Sequence, residues 1–208
     1  MRKFCLTIIV LAGFSKALFA QFGNCTASEM QTYTDRETGN TITILTDTLK
    51  NDRFLYQTDP MWTHDGKYLL FRSSSRANDK KIERTLPNGE KRSWTPTQIY
   101  FIEMATGQII QATEGPDLGS AFLANKSNRM FISRKEKEDW NMYVMDLDKF
   151  FADVKKGKVG KPTAYETLLG TFPTSMGRPG GYAIDCNDDY AYITVEREGT
   201  EEEKEQAE

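Results

Sequence analysis

Apolar and polar residues alternate along this chain in short bursts separated by turn residues, which is the pattern of β-strands. Trp62-Thr63-His64-Asp65-Gly66-Lys67-Tyr68-Leu69-Leu70-Phe71 reads as a strand end, an Asp-Gly turn and a second strand of bulky apolar residues, a hairpin signal. The same shape recurs 61 residues later at 123–132 and another 61 on at 184–193, with Trp62, Leu123 and Ile184 in register. A third strand follows each of the first two hairpins, at 98–103 and 141–146, where Tyr100 matches Tyr143 and Glu103 matches Asp146. A fourth follows the turn Glu103-Met104-Ala105-Thr106-Gly107 and runs over 108–113. The repeat predicts an all-β fold of four-stranded blades.

That turn has a twin near the amino terminus, where Asp35-Arg36-Glu37-Thr38-Gly39 leads with the same acid-x-x-Thr-Gly spacing into a strand over 40–46. An outer strand therefore precedes the first complete blade. In a β-propeller such a strand pairs with the last blade, hiding two sheet edges from water. Two insertions interrupt the blades. Residues 73–97 are a long polar excursion, in which Arg76, Lys80, Lys81, Arg84, Lys91 and Arg92 outnumber Asp79, Glu83 and Glu90. Residues 146–156 predict a short helix, with Leu147, Phe150, Phe151 and Val154 at i, i+3, i+4 and i+7 and Gly157 placed to end it. That stripe is expected to pack on the propeller rim.

The amino terminus has a different character. Met1-Arg2-Lys3 is basic, 4–14 is largely apolar, and Ser15, Ala17 and Ala20 offer small residues for cleavage, the pattern of a secretory signal peptide. Lys16 interrupts the apolar run short of the roughly 20 residues that a membrane span needs. The chain divides into a signal peptide (1–20), a linker (21–32), a partial propeller (33–195) and an acidic tail, disordered or helical (196–208). A periplasmic or secreted location is expected. Export permits disulfides, and past the signal only Cys25 and Cys186 remain, readable as one bridge or as two unrelated thiols. The tail reads as an insertion cut short, with a true acidic tail as the other reading.

Charge and side-chain inventory narrow the chemistry. Lys and Arg total 27 against 30 Asp and Glu, a net charge of −3, which does not suit wholesale nucleic-acid binding. One histidine, His64, and three cysteines leave little for a zinc cage, a histidine triad or a multi-histidine metal site. Gly-x-Ser-x-Gly, phosphate-binding Gly-Lys-Ser/Thr and His-Glu-x-x-His motifs are absent. Asp185-Cys186-Asn187-Asp188-Asp189 has acids but not the spacing of a calcium loop, and the repeat makes it a hairpin turn. His64 falls in the equivalent turn, facing solvent.

Gln57-Thr58-Asp59-Pro60-Met61-Trp62-Thr63-His64-Asp65-Gly66-Lys67, with Leu69-Leu70-Phe71-Arg72-Ser73, Gln98-Ile99-Tyr100 and Thr106-Gly107, resembles the propeller repeat of TolB-like proteins. More specific is the order of an amino-terminal Thr-Gly strand, the Tyr56-Gln57 lead-in, Ala112-Thr113-Glu114-Gly115, the helix from Asp146 and Gly180-Gly181-Tyr182-Ala183-Ile184-Asp185. Together these resemble the amino-terminal part of oligogalacturonate lyases, over about residues 33–195. The resemblance implies a seven-bladed propeller that cleaves pectin fragments by β-elimination. In that chemistry manganese or another divalent cation binds the uronate carboxylate, a base removes the C5 proton, and the 4-linked sugar leaves. The family's metal site is rich in histidine and lies in later blades, so His64 alone cannot supply it, and no catalytic residue or metal ligand is assigned. At about 61 residues per repeat, a seven-bladed ring needs roughly 400 residues, and this chain holds about two and a half blades.

Propeller ligands bind near the axis, where the segments at 56–60, 115–119 and 175–181 converge. Arg178 is the first candidate for a carboxylate contact, by bidentate pairing, followed by Arg72, Arg76 and Gln57. Two functions fit. One is part of an exported oligogalacturonate lyase-like enzyme, inactive alone, whose ligand is an acidic oligosaccharide. The other is part of a TolB-like propeller that binds proteins in the periplasm. Nucleic acid and, after signal removal, membrane are not expected partners, whereas open sheet edges predict marginal stability and self-association.

Overall fold

The computed structural model describes residues 22–76, 81–85, 89–115, 118–137, 139–172 and 178–196, so the expected signal peptide (1–20) and all of the expected acidic tail after Glu196 lie outside the described residues. In chain order, β1 (Cys25–Thr26) precedes a hairpin of β2 (Gln31–Thr34) and β3 (Thr41–Ile44). Then β4 (Asp52–Arg53) and β5 (Tyr68–Ser73) lead through a hairpin of β6 (Ile82–Thr85) and β7 (Lys91–Trp94) to β8 (Gln98–Glu103) and β9 (Ile109–Gln111). The second half runs β10 (Leu118–Leu123), β11 (Arg129–Glu136), β12 (Asp139–Asp146), helix α1 (Leu147–Lys155), β13 (Glu166–Phe172), β14 (Arg178–Ile184) and β15 (Ala191–Glu196). The fold is all-β in class, with antiparallel pairing throughout the described sheets.

The first sheet has strand order β1–β9–β8–β5–β4 and the second β10–β11–β12–β13. Strands β5 and β8 are buried on both faces, because alternate residues enter two different clusters. Leu70, Phe101 and Ile110 face Ala121, Leu123, Met130 and Ile132 of the second sheet, while Phe71, Tyr100, Ile102 and Ile109 pack on the other side with Leu45 and Met104. Helix α1 fills the outer wedge of the larger cluster. Asp146 caps it by accepting the Lys149 N–H at 3.0 Å, and Gly157 follows it at φ +63°, the left-handed conformation that ends helices. Its predicted stripe of Leu147, Phe150, Phe151 and Val154 is buried. Phe151 stacks on Tyr68 at 3.7 Å and meets Phe101 edge-on at 5.1 Å.

Two segments behave differently from their sequence pattern. In the expected linker, Phe22 is buried against Phe150 at 5.0 Å, and Cys25 and Thr26 pair with Ile110 and Ile109. Cys25–Thr26 are thus an added strand of the first sheet. The polar excursion at 73–97 contains the β6–β7 hairpin, with Ile82 opposite Trp94. Cys25 and Cys186 are both exposed free thiols.

The repeating turns lie side by side. His64 donates its Nδ1–H to the Asn125 carbonyl at 3.0 Å, and Asn125 in turn donates its Nδ2–H to the Asp185 carbonyl at 3.0 Å. The buried Asp188 carboxylate accepts the N–H groups of Asn125 at 2.6 Å and Lys126 at 2.9 Å. Each sheet is therefore latched to the next at its turn end.

Candidate ligand-binding cleft

The cleft forms at the other end of the sheets because the inner strand of the first sheet is broken. Asp52 and Arg53 pair with Ser73 and Arg72, whereas Trp62 pairs with Leu69 and the Leu70 N–H donates to the Met61 carbonyl at 2.7 Å. Residues 54–60 leave the sheet between these pairings. Leu55 turns inward onto the core and Tyr56 outward to solvent. Beside this loop a cleft of about 790 Å³ opens between β4 and β10. One wall carries Arg53, Tyr56, Asp59 and Arg72, another Trp94 to Thr97 after the inserted hairpin, and the third Leu118 to Phe122.

Arg53 and Arg72 sit directly opposite each other across the two strands, and both side chains line the cleft. Neither forms an ion pair among the described residues. Among the described residues the Arg53 side chain donates one hydrogen bond, to Oδ1 of Asn51 just before β4, at 3.3 Å. Like charges directly opposite are destabilising, so the arrangement favours an anion between the guanidinium groups. Asp59 adds one carboxylate to the lining, and Tyr56 and Trp94 bring aromatic surface.

The sequence candidates separate on this geometry. Arg72 lines the cleft, and Gln57 lies next to the lining Tyr56 without being part of the wall. Arg178 opens β14, with its side chain outside the described residues. Arg76 is not presented to a ligand. Its guanidinium donates to Asp52 at 2.9 and 2.6 Å and to Glu29 at 2.9 and 2.6 Å, and it stands 5.3 Å over the Phe71 ring. Hydrogen bonds from Arg76 hold the Glu29 carboxyl at about 2. This cluster ties the base of the β2–β3 hairpin to the first sheet. Arg53 and Trp94 carried no sequence signal of their own: one lies in a two-residue strand, the other at the end of a charged stretch.

Among the described residues no group of three or more His, Cys, Asp or Glu side chains is placed to hold a metal ion. His64 is engaged in the turn latch. The manganese implied by the lyase resemblance therefore has no ligand set among the described residues. No described helix is long and apolar enough to cross a membrane.

The fold has solved counterparts. An oligogalacturonate lyase in complex with manganese superposes with a TM-score of 0.55 at 19% identity, over 81% of this chain and 36% of that one. The crystal structure of an oligogalacturonate lyase from Vibrio parahaemolyticus gives a TM-score of 0.54 at 20% identity, over 80% of this chain and 35% of that one. This chain shares their fold. It spans about a third of the length of these enzymes. No family model and no curated protein sequence matches the chain.

Proposed function

We propose that this chain forms the first blades of an exported β-propeller of the oligogalacturonate-lyase type, and that the β4–β10 cleft holds a carboxylate of an acidic oligosaccharide. The observation that carries this reading is the cross-strand Arg53–Arg72 pair, two guanidinium groups that form no ion pair among the described residues, on the wall of a cleft between inner strands. A uronate carboxylate between them accepts charge-assisted hydrogen bonds from both, each worth about 1.5–3 kcal/mol. The aromatic faces of Tyr56 and Trp94 offer apolar surface to the C–H face of a sugar ring. Elimination at C5 requires a metal and a base, and both belong to blades beyond those described. This chain's own part is to bind and orient the sugar.

Calorimetric titration with trigalacturonate and with its methyl ester tests the reading. The free acid is expected to bind and the uncharged ester is not. Arg72→Ala is expected to weaken binding by roughly tenfold or more, about 1.4 kcal/mol, with unchanged melting because its side chain is exposed and makes no ion pair among the described residues. Equal affinity for acid and ester, or no binding of either, sinks it and leaves the protein-binding propeller as the better account. Oligogalacturonate with manganese is expected to give no unsaturated product. Turnover would place the catalytic groups in this chain.

A further inference from the structure

Beyond Trp94 the cleft wall continues into a cationic hairpin, β6–β7. Its described residues, 81–85 and 89–94, include Lys81, Arg84, Lys91 and Arg92 against Glu83 and Glu90, in a chain whose net charge is −3. These charges are not arranged to hold the hairpin together. A two-stranded hairpin is marginal in water, and opposite charges on facing positions are what support one. Here the ladder sets Glu83 opposite Ser93, Arg84 opposite Arg92 and Thr85 opposite Lys91, so none of its paired positions matches an acid with a base. Arginine opposite arginine repeats, on a second ladder, the pattern of Arg53 opposite Arg72. Arg92 does meet Glu90 at 3.4 Å, but the two side chains are 64% and 51% exposed, and so wet a pair contributes little and yields to a better-placed anion.

The two faces of the hairpin differ. Successive residues of a strand point to opposite faces, so Arg92 shares a face with Trp94, and Lys91 shares the other with Ser93. Trp94 stands opposite the half-buried Ile82 and lines the cleft. Arg92 is therefore on the cleft-side face, two residues or roughly 7 Å along the strand beyond the wall. The base of this arm is fixed. Pro96, whose ring sets its own φ, is buried, and β8 begins two residues later at Gln98.

We propose that the face of β7 carrying Trp94 and Arg92 is a second anion subsite of the cleft, which takes the carboxylate of a further uronate along the same acidic oligosaccharide. The proposal rests on the reading of Arg53 and Arg72 as the first carboxylate site. A polyuronate carries one carboxylate on each unit. Once one of them is held at Arg53–Arg72, the next ones meet the hairpin as an intramolecular event, at the high effective concentration of a short link. A guanidinium suits that role because it pairs with a carboxylate through two parallel hydrogen bonds. The cleft then reads chain length: a single uronate fills only the first site, and a longer chain fills both.

Calorimetry at low salt compares galacturonate, which carries one carboxylate, with hexagalacturonate. The parent is expected to bind the hexamer roughly tenfold or more tighter. Arg92→Ala is expected to lose most of that gain while binding galacturonate as the parent does, which also shows its cleft to be intact. Equivalent registers of the hexamer raise the affinity of parent and variant alike, so the difference between them reads the hairpin. Lys91→Ala removes the same charge from the opposite face and is expected to keep the gain. A hexamer bound no tighter than galacturonate by the parent, a gain that survives Arg92→Ala, or an equal loss with Lys91→Ala overturns the proposal. Equal loss of galacturonate and hexamer with Arg92→Ala also overturns it, because the arginine then acts on the first site or on the fold. Where one of these results accompanies galacturonate binding that Arg72→Ala abolishes, the first carboxylate site stands and only the second fails. If neither acid binds the parent, both readings fail.

Discussion

Replacing Arg76 with methionine removes four charged hydrogen bonds at once, two to Asp52 and two to Glu29. The Arg76 side chain is only 7% exposed and that of Asp52 9%. Methionine keeps an unbranched apolar side chain at this position but leaves Asp52 buried with its cation gone. Removing one partner of a buried pair costs about 3–5 kcal/mol. Glu29 is 25% exposed and regains some water, so the lower end, about 3 kcal/mol, is expected. With urea slopes of about 1–3 kcal/mol/M, the unfolding midpoint should fall by roughly 1–3 M, read from the fluorescence of Trp62, Trp94 and Trp140. The pH dependence supplies a second reading. Glu29 sits at about 2 instead of 4.5, first because Arg76 hydrogen-bonds its ionised form. A depressed folded pKa stabilises above the unfolded value and loses that contribution as the pH falls toward the folded one. The parent should therefore lose on the order of 1–2 kcal/mol between about pH 4.5 and 2 from this group, after allowance for screening at its wet flank. The variant should lack that component. A midpoint shift corresponding to less than about 0.5 kcal/mol, the range of an ordinary surface change, or an unaltered acid slope would refute the assignment of Arg76 as the staple between the β2–β3 hairpin and the first sheet.

Other consequences follow from the core and the latches. Phe151→Ala removes the ring stacked on Tyr68 at 3.7 Å and is expected to destabilise by about 3–5 kcal/mol in the same urea assay. Asp188→Ala strips the acceptor from the N–H groups of Asn125 and Lys126 and from the Ser127 hydroxyl, with an expected loss of about 1–3 kcal/mol. Burial pushes the Asp188 carboxyl up, but those donors leave it below its ordinary 3.8. Its contribution is therefore present above pH 3.8 and fades on acidification, and the variant should be less acid-sensitive than the parent.

What was legible in the sequence was what neighbours in sequence determine. The Asp65-Gly66 turn, the strand Gln98–Glu103 and the helix stripe of Leu147, Phe150, Phe151 and Val154 stand where period and turn chemistry place them. Partners chosen over distance were not legible. Phe22 enters the core through Phe150 and Tyr165, and a two-residue strand has too few positions to show alternation. Both strands of the inserted hairpin carry charge, which hides the Ile82–Trp94 pairing. Arg76 reads in the sequence as a ligand candidate at the start of a charged excursion. Its two acids stand 24 and 47 residues earlier in the chain, and nothing local announces them.

The two ends of the sheets explain this division and bear on where ligand recognition evolves. At the turn end, His64 and Asn125 hold equivalent places 61 residues apart, and each reaches the backbone carbonyl of the following turn. A carbonyl accepts from any suitably placed donor, so this end constrains spacing and turn shape more than side-chain identity, and it repeats visibly. At the cleft end no such latch joins β4 to β10 among the described residues. There the first sheet carries a loop at 54–60 and an inserted hairpin, while the second passes from β11 to β12 by a tight turn at Lys137. Segments free of an inter-sheet constraint can change length and charge without unlatching the array, which is the physical condition for placing binding groups on loops held by a rigid scaffold. Arg53, opposite Arg72 in the ladder, stands on the last paired residue before the loop at 54–60 begins. It joins the fixed strands to the variable loops, so the spacing of the two arginines is set by the sheet while the surrounding wall is set by the insertions.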